Sequence, residues 1–490
     1  MSDESLKSMI LRSTVLYTVV SFASRIMAFP KGIVIGLVLM PEEFGLYNSI
    51  FVWFHYLTIV NIGLCSAAGR ESAHYFGQEG KEQTGIEIQN KAISIDFFIV
   101  LFVTICFTIY SLRKQSAFLI SCYVLMAVTY LLNQISSYYE RFNSARNLFT
   151  GVAKANLLRN ILSPVLIIIT VYHLKIYALF VIPVFALLVK LLYYRIKMPL
   201  NARLTFNYAG VGPLLYCGFF LGITSMLSTF YFVIDRTFIK LYLDDTIMGL
   251  YSFSLMFVMM MQTLFANFMG IFVDTLNKNS ANLDLGVLTQ KGMVYVKYLL
   301  LFAVAIVITA QLCYYVLVNY FLTNYEESAT IFIIFSTMIF FYAMFVIPNS
   351  LLYSKLMERE KSLTLIMVSG VISGIIFNAL FVYLGWKGEG IALATVLSQA
   401  VMTAGVLFIF MKCTSLNIKL LIEMSPLTLL FIAYSGYFYY MAVNNYPIGN
   451  FIACFLLGVV VLWVITQFFY KINPFQISMD LFKKPLKFAG

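Results

Sequence analysis

Charge is what this chain has least of. Only 11% of its 490 residues are Asp, Glu, Lys or Arg, against about 25% in an ordinary soluble domain, and that scarcity excludes a water-soluble globular protein. Long polar stretches are missing too, because the connections between apolar runs are too short to fold into a soluble domain. Paired cysteines are also lacking. The seven that occur (Cys65, Cys106, Cys122, Cys217, Cys313, Cys413 and Cys454) stand singly with no CxxC or ligand-like spacing, and they are expected to pack in the interior. No HExxH, Walker loop, DxD-type metal pair or Ser/His/Asp set falls in a plausible loop, so no enzyme is expected. The N-terminal MSDESLKSMILR runs into an apolar segment without an AxA-type site, and no removable signal peptide is expected.

What is present is apolar. Hydrophobic residues make up 61% of the chain and the mean hydropathy is +0.87, which predicts an all-α integral membrane protein. Apolar runs fall at about 13–40, 45–68, 92–110, 117–138, 151–172, 176–194, 211–234, 248–272, 293–319, 328–352, 362–384, 389–411, 426–443 and 448–469. These predict about 14 transmembrane helices. Lys and Arg concentrate in alternate connections, from Lys7 and Arg12 through Arg70, Lys81, Lys91, Arg141 and Arg146 to the basic tail at Lys483, Lys484 and Lys487. The other turns hold little beyond Arg113, Lys114, Lys175 and Lys387. That asymmetry places both termini in the cytoplasm. It also accounts for the net charge of +11, so the chain is read as touching membrane lipids and no nucleic acid.

The stretch from Ser21 to Arg70 carries positive charge where charge is costly. It reads as two apolar helices joined by an acidic turn at Pro41–Phe44. Arg25 falls halfway along the first run and Lys31 follows a helix-breaking Pro30. A cation at that depth costs about 2.5–3.5 kcal/mol on insertion scales, so it is expected to face water or an anion. Lys31 and His55 each lie about 15 Å from the turn, on adjacent antiparallel helices. The alternatives are plain ones. Arg25 can sit in a buried pair, Lys31 can snorkel, Arg236 can pair with its neighbour Asp235, and His55 can be a packing residue. Arg159 is either a further cavity cation or, with Lys154, a marker of the cytoplasmic border. Acidic residues such as Asp96, Asp235 and Asp274 are expected near helix ends, and aromatic runs such as Tyr138, Tyr139 and FFYAMF from Phe340 mostly on the lipid face or in the interfacial belt. The PEEFGLYNSIF segment from Pro41 has a counterpart in DDTIMGLYSFSL from Asp244, which predicts a repeat of six helices in the same direction. The expected division is 1–205, 206–412 and 413–490, the last being two more helices and a basic tail.

Together, the intramembrane Arg of the first helix, PEEFGLYNSIF, the Asp235–Arg236 pair before GLYSFS, and GEGIALATVLSQ from Gly388 resemble the Wzx-type polysaccharide flippases. These belong to the multidrug/oligosaccharidyl-lipid/polysaccharide (MOP) exporter superfamily. The resemblance implies a V-shaped, MATE-like fold of two six-helix lobes plus a C-terminal helix pair. It implies a flippase moving an undecaprenyl-pyrophosphate-linked oligosaccharide, an O-antigen or related repeat unit, across a bacterial cytoplasmic membrane by alternating access. No cofactor is implied beyond coupling to a proton or sodium gradient. A glycan polymerase and a chain-length regulator are the implied partners. Arg25, Lys31 and Arg236 are the expected substrate-binding cations, with His55, Arg159 and Asp235 as further cavity or coupling residues. A MATE-like multidrug exporter has the same fold but needs buried carboxylates, and a glycan polymerase or glycosyltransferase needs longer loops.

Overall fold

The computed structural model describes residues 27, 29–60, 63–78, 80–114, 116–200, 203–207, 209–279, 285–353, 357, 359–414 and 419–468. Among these there is helix and no strand. A chain this apolar must satisfy its backbone donors and acceptors internally when water is absent, and within one segment only a helix does so. The described residues of 1–233 form one compact unit and those of 234–490 a second.

The first unit holds α1 (Phe29–Val38), α2 (Pro41–Ile59), α3 (Leu64–Phe76), α4 (Glu82–Ser111), α5 (Ala117–Ala145), α6 (Phe149–Leu174) and α7 (Ile176–Lys197). Helix α8 (Gly212–Tyr242) carries the chain from the first unit into the second without a break. The second unit continues with α9 (Asp245–Asn279), α10 (Leu285–Val316), α11 (Ser328–Ser336) and α12 (Met338–Tyr353). It ends with α13 (Glu360–Tyr383), α14 (Gly388–Thr414), α15 (Lys419–Val443) and α16 (Ile448–Phe468). Every expected apolar run from the second onward is helical, and two of them are split. Eleven helical spans among the described residues are long and apolar enough to cross a membrane, and the bent pair α2–α3 counts as a twelfth when taken as one span.

The acidic turn expected over Pro41–Phe44 is helix instead. Pro41 occupies the first helical position, where its missing N–H costs nothing. The Met40 N–H donates to Glu43 at 3.1 Å, which satisfies an orphan donor at the helix start. Asp244 caps α9 by the reverse bond, its side chain accepting from the Ile247 N–H at 2.8 Å. Gly45 and Gly249 are each the fifth residue of their helix, so the repeated segments occupy equivalent places in the two units.

The run expected at 45–68 is broken at Gly63, where φ is +70° and the axis turns by 50° between α2 and α3. A side chain at Gly63 would press on the Gly218 carbonyl and stand 2.6 Å from the Gly222 amide nitrogen, so glycine is required for α8 to approach this closely. Beyond the break, α3 packs Cys65, Ala67 and Ala68 against Ala92, Ile93, Tyr138 and Phe142 of α4 and α5. Small side chains let membrane helices approach where no hydrophobic effect drives them together. A second cluster joins α2, α4, α5 and α7 through Ile50, Leu57, Phe107, Tyr130 and Phe180.

Helices in this unit outrun the apolar stretches that announce them. Helix α5 continues to Ala145, where Asn147 at φ 61° ends it. There the Leu148 N–H donates to Asn143 O at 3.0 Å and the Asn147 N–H to Ser144 O at 2.9 Å, a paired closure that an αL residue permits. Helix α4 likewise begins at Glu82, ahead of its apolar part, and its polar face holds the connector that follows α7. The Arg203 N–H donates to Asn90 Oδ1 at 2.9 Å and the Thr205 N–H to Ser94 Oγ at 2.8 Å, while Lys91 Nζ donates to Ala209 O at 2.7 Å. In the second unit α14 packs on α11, α12 and α13, and Gln311 of α10 donates to Ser336 Oγ at 2.8 Å.

Candidate functional site

The lengthened end of α5 carries the main buried charge of the first unit. Glu140 lies five residues before that end, Arg159 ten residues after the start of α6, and Lys190 seven residues before the end of α7. These three ends lie on one side of the unit, and Lys190 meets Glu140 there, with Arg159 up to about one and a half turns deeper. Lys190 is fully buried and pairs with Glu140 Oε1, whose side chain keeps 33% of its surface exposed. Ser136 Oγ adds a bond to the same oxygen at 3.3 Å. Arg159 Nη1 donates to Asn133 Oδ1 at 3.5 Å. Tyr194, which stacks on Tyr139 and lies under the Lys190 ammonium, is fully buried with its hydroxyl unpartnered. Glu140 and Lys190 escaped sequence reasoning. A single Lys in a run of apolar residues hardly alters its mean hydropathy, and Glu140 lay just past the end expected for its helix.

Deeper charge of the opposite sign is also present. Asp96, expected near a helix end, lies in the middle of α4, is 1% exposed, and accepts from the Tyr138 hydroxyl at 2.7 Å. The helix begins ten residues before its apolar stretch, which moves Asp96 inward. Tyr138 is accordingly buried rather than lipid-facing, since a phenol needs a partner for its O–H. Phe340 is buried too, stacked on Phe431 of α15.

In the second unit Asp235 is buried within α8 and accepts from the Tyr251 hydroxyl of α9, which also meets Thr395 Oγ1 of α14 at 3.3 Å. The Arg236 N–H donates to Asp235 Oδ1 at 2.7 Å, and Arg236 Nε stands 3.9 Å from that oxygen. Asp235 lies nine residues before the cap of its hairpin and Lys31 nine residues before the matching cap. Equivalent positions therefore carry a carboxylate in one unit and an ammonium in the other. Lys31 is half-buried on α1, and no carboxylate among the described residues lies within ion-pair distance of it. His55 of α2 is ringed by Phe51 and Phe54, with centroids 4.9 and 6.1 Å away. Arg25 lies outside the described residues. Of the expected residues, Asp235 and Arg236 meet each other, while Arg159 belongs to the Glu140 cluster.

The sequence matches the model of the polysaccharide biosynthesis protein family over residues 10–272, more than half of the chain. The chain belongs to that family. No curated protein sequence matches this family member significantly. Among solved structures, it is similar to the lipid II flippase MurJ in an inward closed conformation, with a TM-score of 0.71 at 15% identity over 93% of this chain and 99% of that one. It is also similar to an inward-facing multidrug resistance MATE family transporter of the MOP superfamily, with a TM-score of 0.63 at 12% identity over 81% and 98% of the two chains. An outward-facing structure of a MATE family transporter gives 0.56 at 14%, over 84% and 96%. Identities this low establish the fold alone. Family and fold bear out the resemblance read from the ordered motifs, and this polysaccharide biosynthesis protein is a multi-pass membrane protein.

Proposed function

We propose that this protein is a flippase that moves a polyprenyl-pyrophosphate-linked oligosaccharide, an O-antigen or related surface repeat unit, between leaflets of a bacterial cytoplasmic membrane by alternating access. The observation that carries the reading is the half-buried Lys31, which has no carboxylate partner among the described residues, in a member of a polysaccharide biosynthesis family. A pyrophosphate crossing hydrocarbon needs fixed cations, whereas its prenyl chain needs none. Arg25, Lys31 and Arg236 hold the anion in this reading. Both termini are cytoplasmic, and a glycan polymerase and a chain-length regulator work on the exported units. Asp235 is the favoured point for coupling to a proton or sodium gradient because it is a buried carboxylate held by the Tyr251 phenol, with Arg236 Nε at 3.9 Å.

The test is complementation of a flippase-null strain, with Arg25→Ala and Arg25→Lys compared with wild type at matched membrane levels. Surface glycan restored by wild type, lost with Ala and partly kept with Lys is the expected result. Full activity of the Ala variant removes Arg25 from the site. The rival reading is a multidrug exporter, favoured by the buried carboxylates Asp96 and Asp235, which a cationic drug or its coupling ion requires. Failure of wild type to restore any of several glycans, together with drug resistance conferred on the host, decides for that reading.

A further inference from the structure

The Glu140 cluster has more donors than acceptors. Lys190 is matched by Glu140, but Arg159 brings a second positive charge and spends one of its five N–H donors on a 3.5 Å bond to Asn133. The Tyr194 hydroxyl, fully buried, has no partner. The cluster therefore carries one net positive charge and lacks an acceptor. By helical rise it sits about 8–15 Å from the ends of α5, α6 and α7. Glu140 and Arg159 keep part of their surface open there, which is untenable against hydrocarbon and requires a polar surrounding.

We propose that Arg159, Lys190 and Tyr194 form an oxyanion station in the first unit, and that Glu140 is its resident competitor. The inference rests on the substrate reading above, in which the cargo carries a pyrophosphate and, in some glycans, sugar carboxylates. Arg159, which alone of the three keeps open surface, presents a planar fork to the incoming anion, and the fully buried Lys190 and Tyr194 back it from within the unit. Glu140 neutralises Lys190, so the anion meets the pull of one cation instead of two. A station that must release its cargo requires such a limit. A bare pair of buried cations would hold a pyrophosphate too long for turnover.

The experiment uses the purified full chain in lipid nanodiscs, with farnesyl pyrophosphate and glucuronate as probes and calorimetric titration as the readout. Arg159→Gln weakens binding of at least one probe about tenfold, and Arg159→Lys, which keeps the charge but loses the fork, falls between. Glu140→Gln moves the other way, binding several-fold tighter while slowing glycan export in cells. Effects confined to farnesyl pyrophosphate assign the station to the phosphates, and effects confined to glucuronate assign it to sugar acids. Should Glu140→Gln fail to fold, the order wild type, Lys, Gln at position 159 decides. Probe affinities unchanged in folded Arg159→Gln and Arg159→Lys overturn the station alone. Wild type that binds neither probe overturns the substrate reading and the station with it.

Discussion

At residue scale the decisive quantity is the cost of leaving a buried charge without its partner. Lys190→Met strands Glu140. Loss of one member of a buried pair costs about 3–5 kcal/mol, and the lower end applies because Glu140 is a third exposed. A clear fall in the melting midpoint of the detergent-solubilised protein is expected, with most of it regained in Lys190→Met/Glu140→Met. A double variant whose loss equals the sum of the Lys190→Met and Glu140→Met losses would show that the pair is not coupled. Tyr251→Phe deprives the buried Asp235 of a donor, a loss of about 1–3 kcal/mol. Asp235→Asn in that background is expected to add less than it costs alone, as residues sharing one bond are not additive. These groups were unevenly legible. Asp235, Arg236 and Arg159 stood out as charges in apolar runs. Tyr251 and Tyr138 did not, because an aromatic residue in a membrane helix gives no sign of whether it meets lipid or a carboxylate.

At the scale of the element, the informative contrast is between two glycines. Gly63 combines φ +70° with a close approach to the backbone of α8, and backbone cannot step aside. Gly63→Ala is expected to abolish correctly folded protein, since the left-handed conformation alone costs a side chain about 1–2 kcal/mol. Gly151 is crowded too, but by the side chain of Met198, which has three rotatable bonds with which to move away. Gly151→Ala is expected to leave expression and monodispersity on size-exclusion chromatography close to wild type. Equal behaviour of the two variants would refute this account of the α3–α8 crossing. Hydropathy located nearly every helix here but misplaced their ends. It registers the apolar length that matches a bilayer, whereas a helix stops where its last carbonyls find donors, as at Asn147.

For the whole molecule, the alternation of strongly and weakly basic connections makes a topology that labelling can check. In a background lacking the seven native cysteines, of which Cys106, Cys217 and Cys313 are exposed, Lys114→Cys and Lys387→Cys are expected to react with an impermeant maleimide on intact cells. Lys81→Cys is expected to react only after permeabilisation. The reverse pattern would invert the protein in the membrane. The repeat was legible at this scale from three letters, GLY, because the caps before them fix the same helical register in both units. The charged position ahead of each GLY, Lys31 in one unit and Asp235 in the other, was legible as well, whereas the Tyr251 hydroxyl that Asp235 meets was not.

The connector between α7 and α8 has a consequence for how the family varies. Two residues of extended chain advance about 6.6 Å and four residues of helix about 6.0 Å. Arg203 and Thr205 thus keep step with Asn90 and Ser94 along α4. Inserting or deleting a single residue between them would put the chain out of phase with its helix and free both amides. Among relatives that keep Asn90 and Ser94, gaps in sequence alignments should fall on either side of 203–205 and not within it.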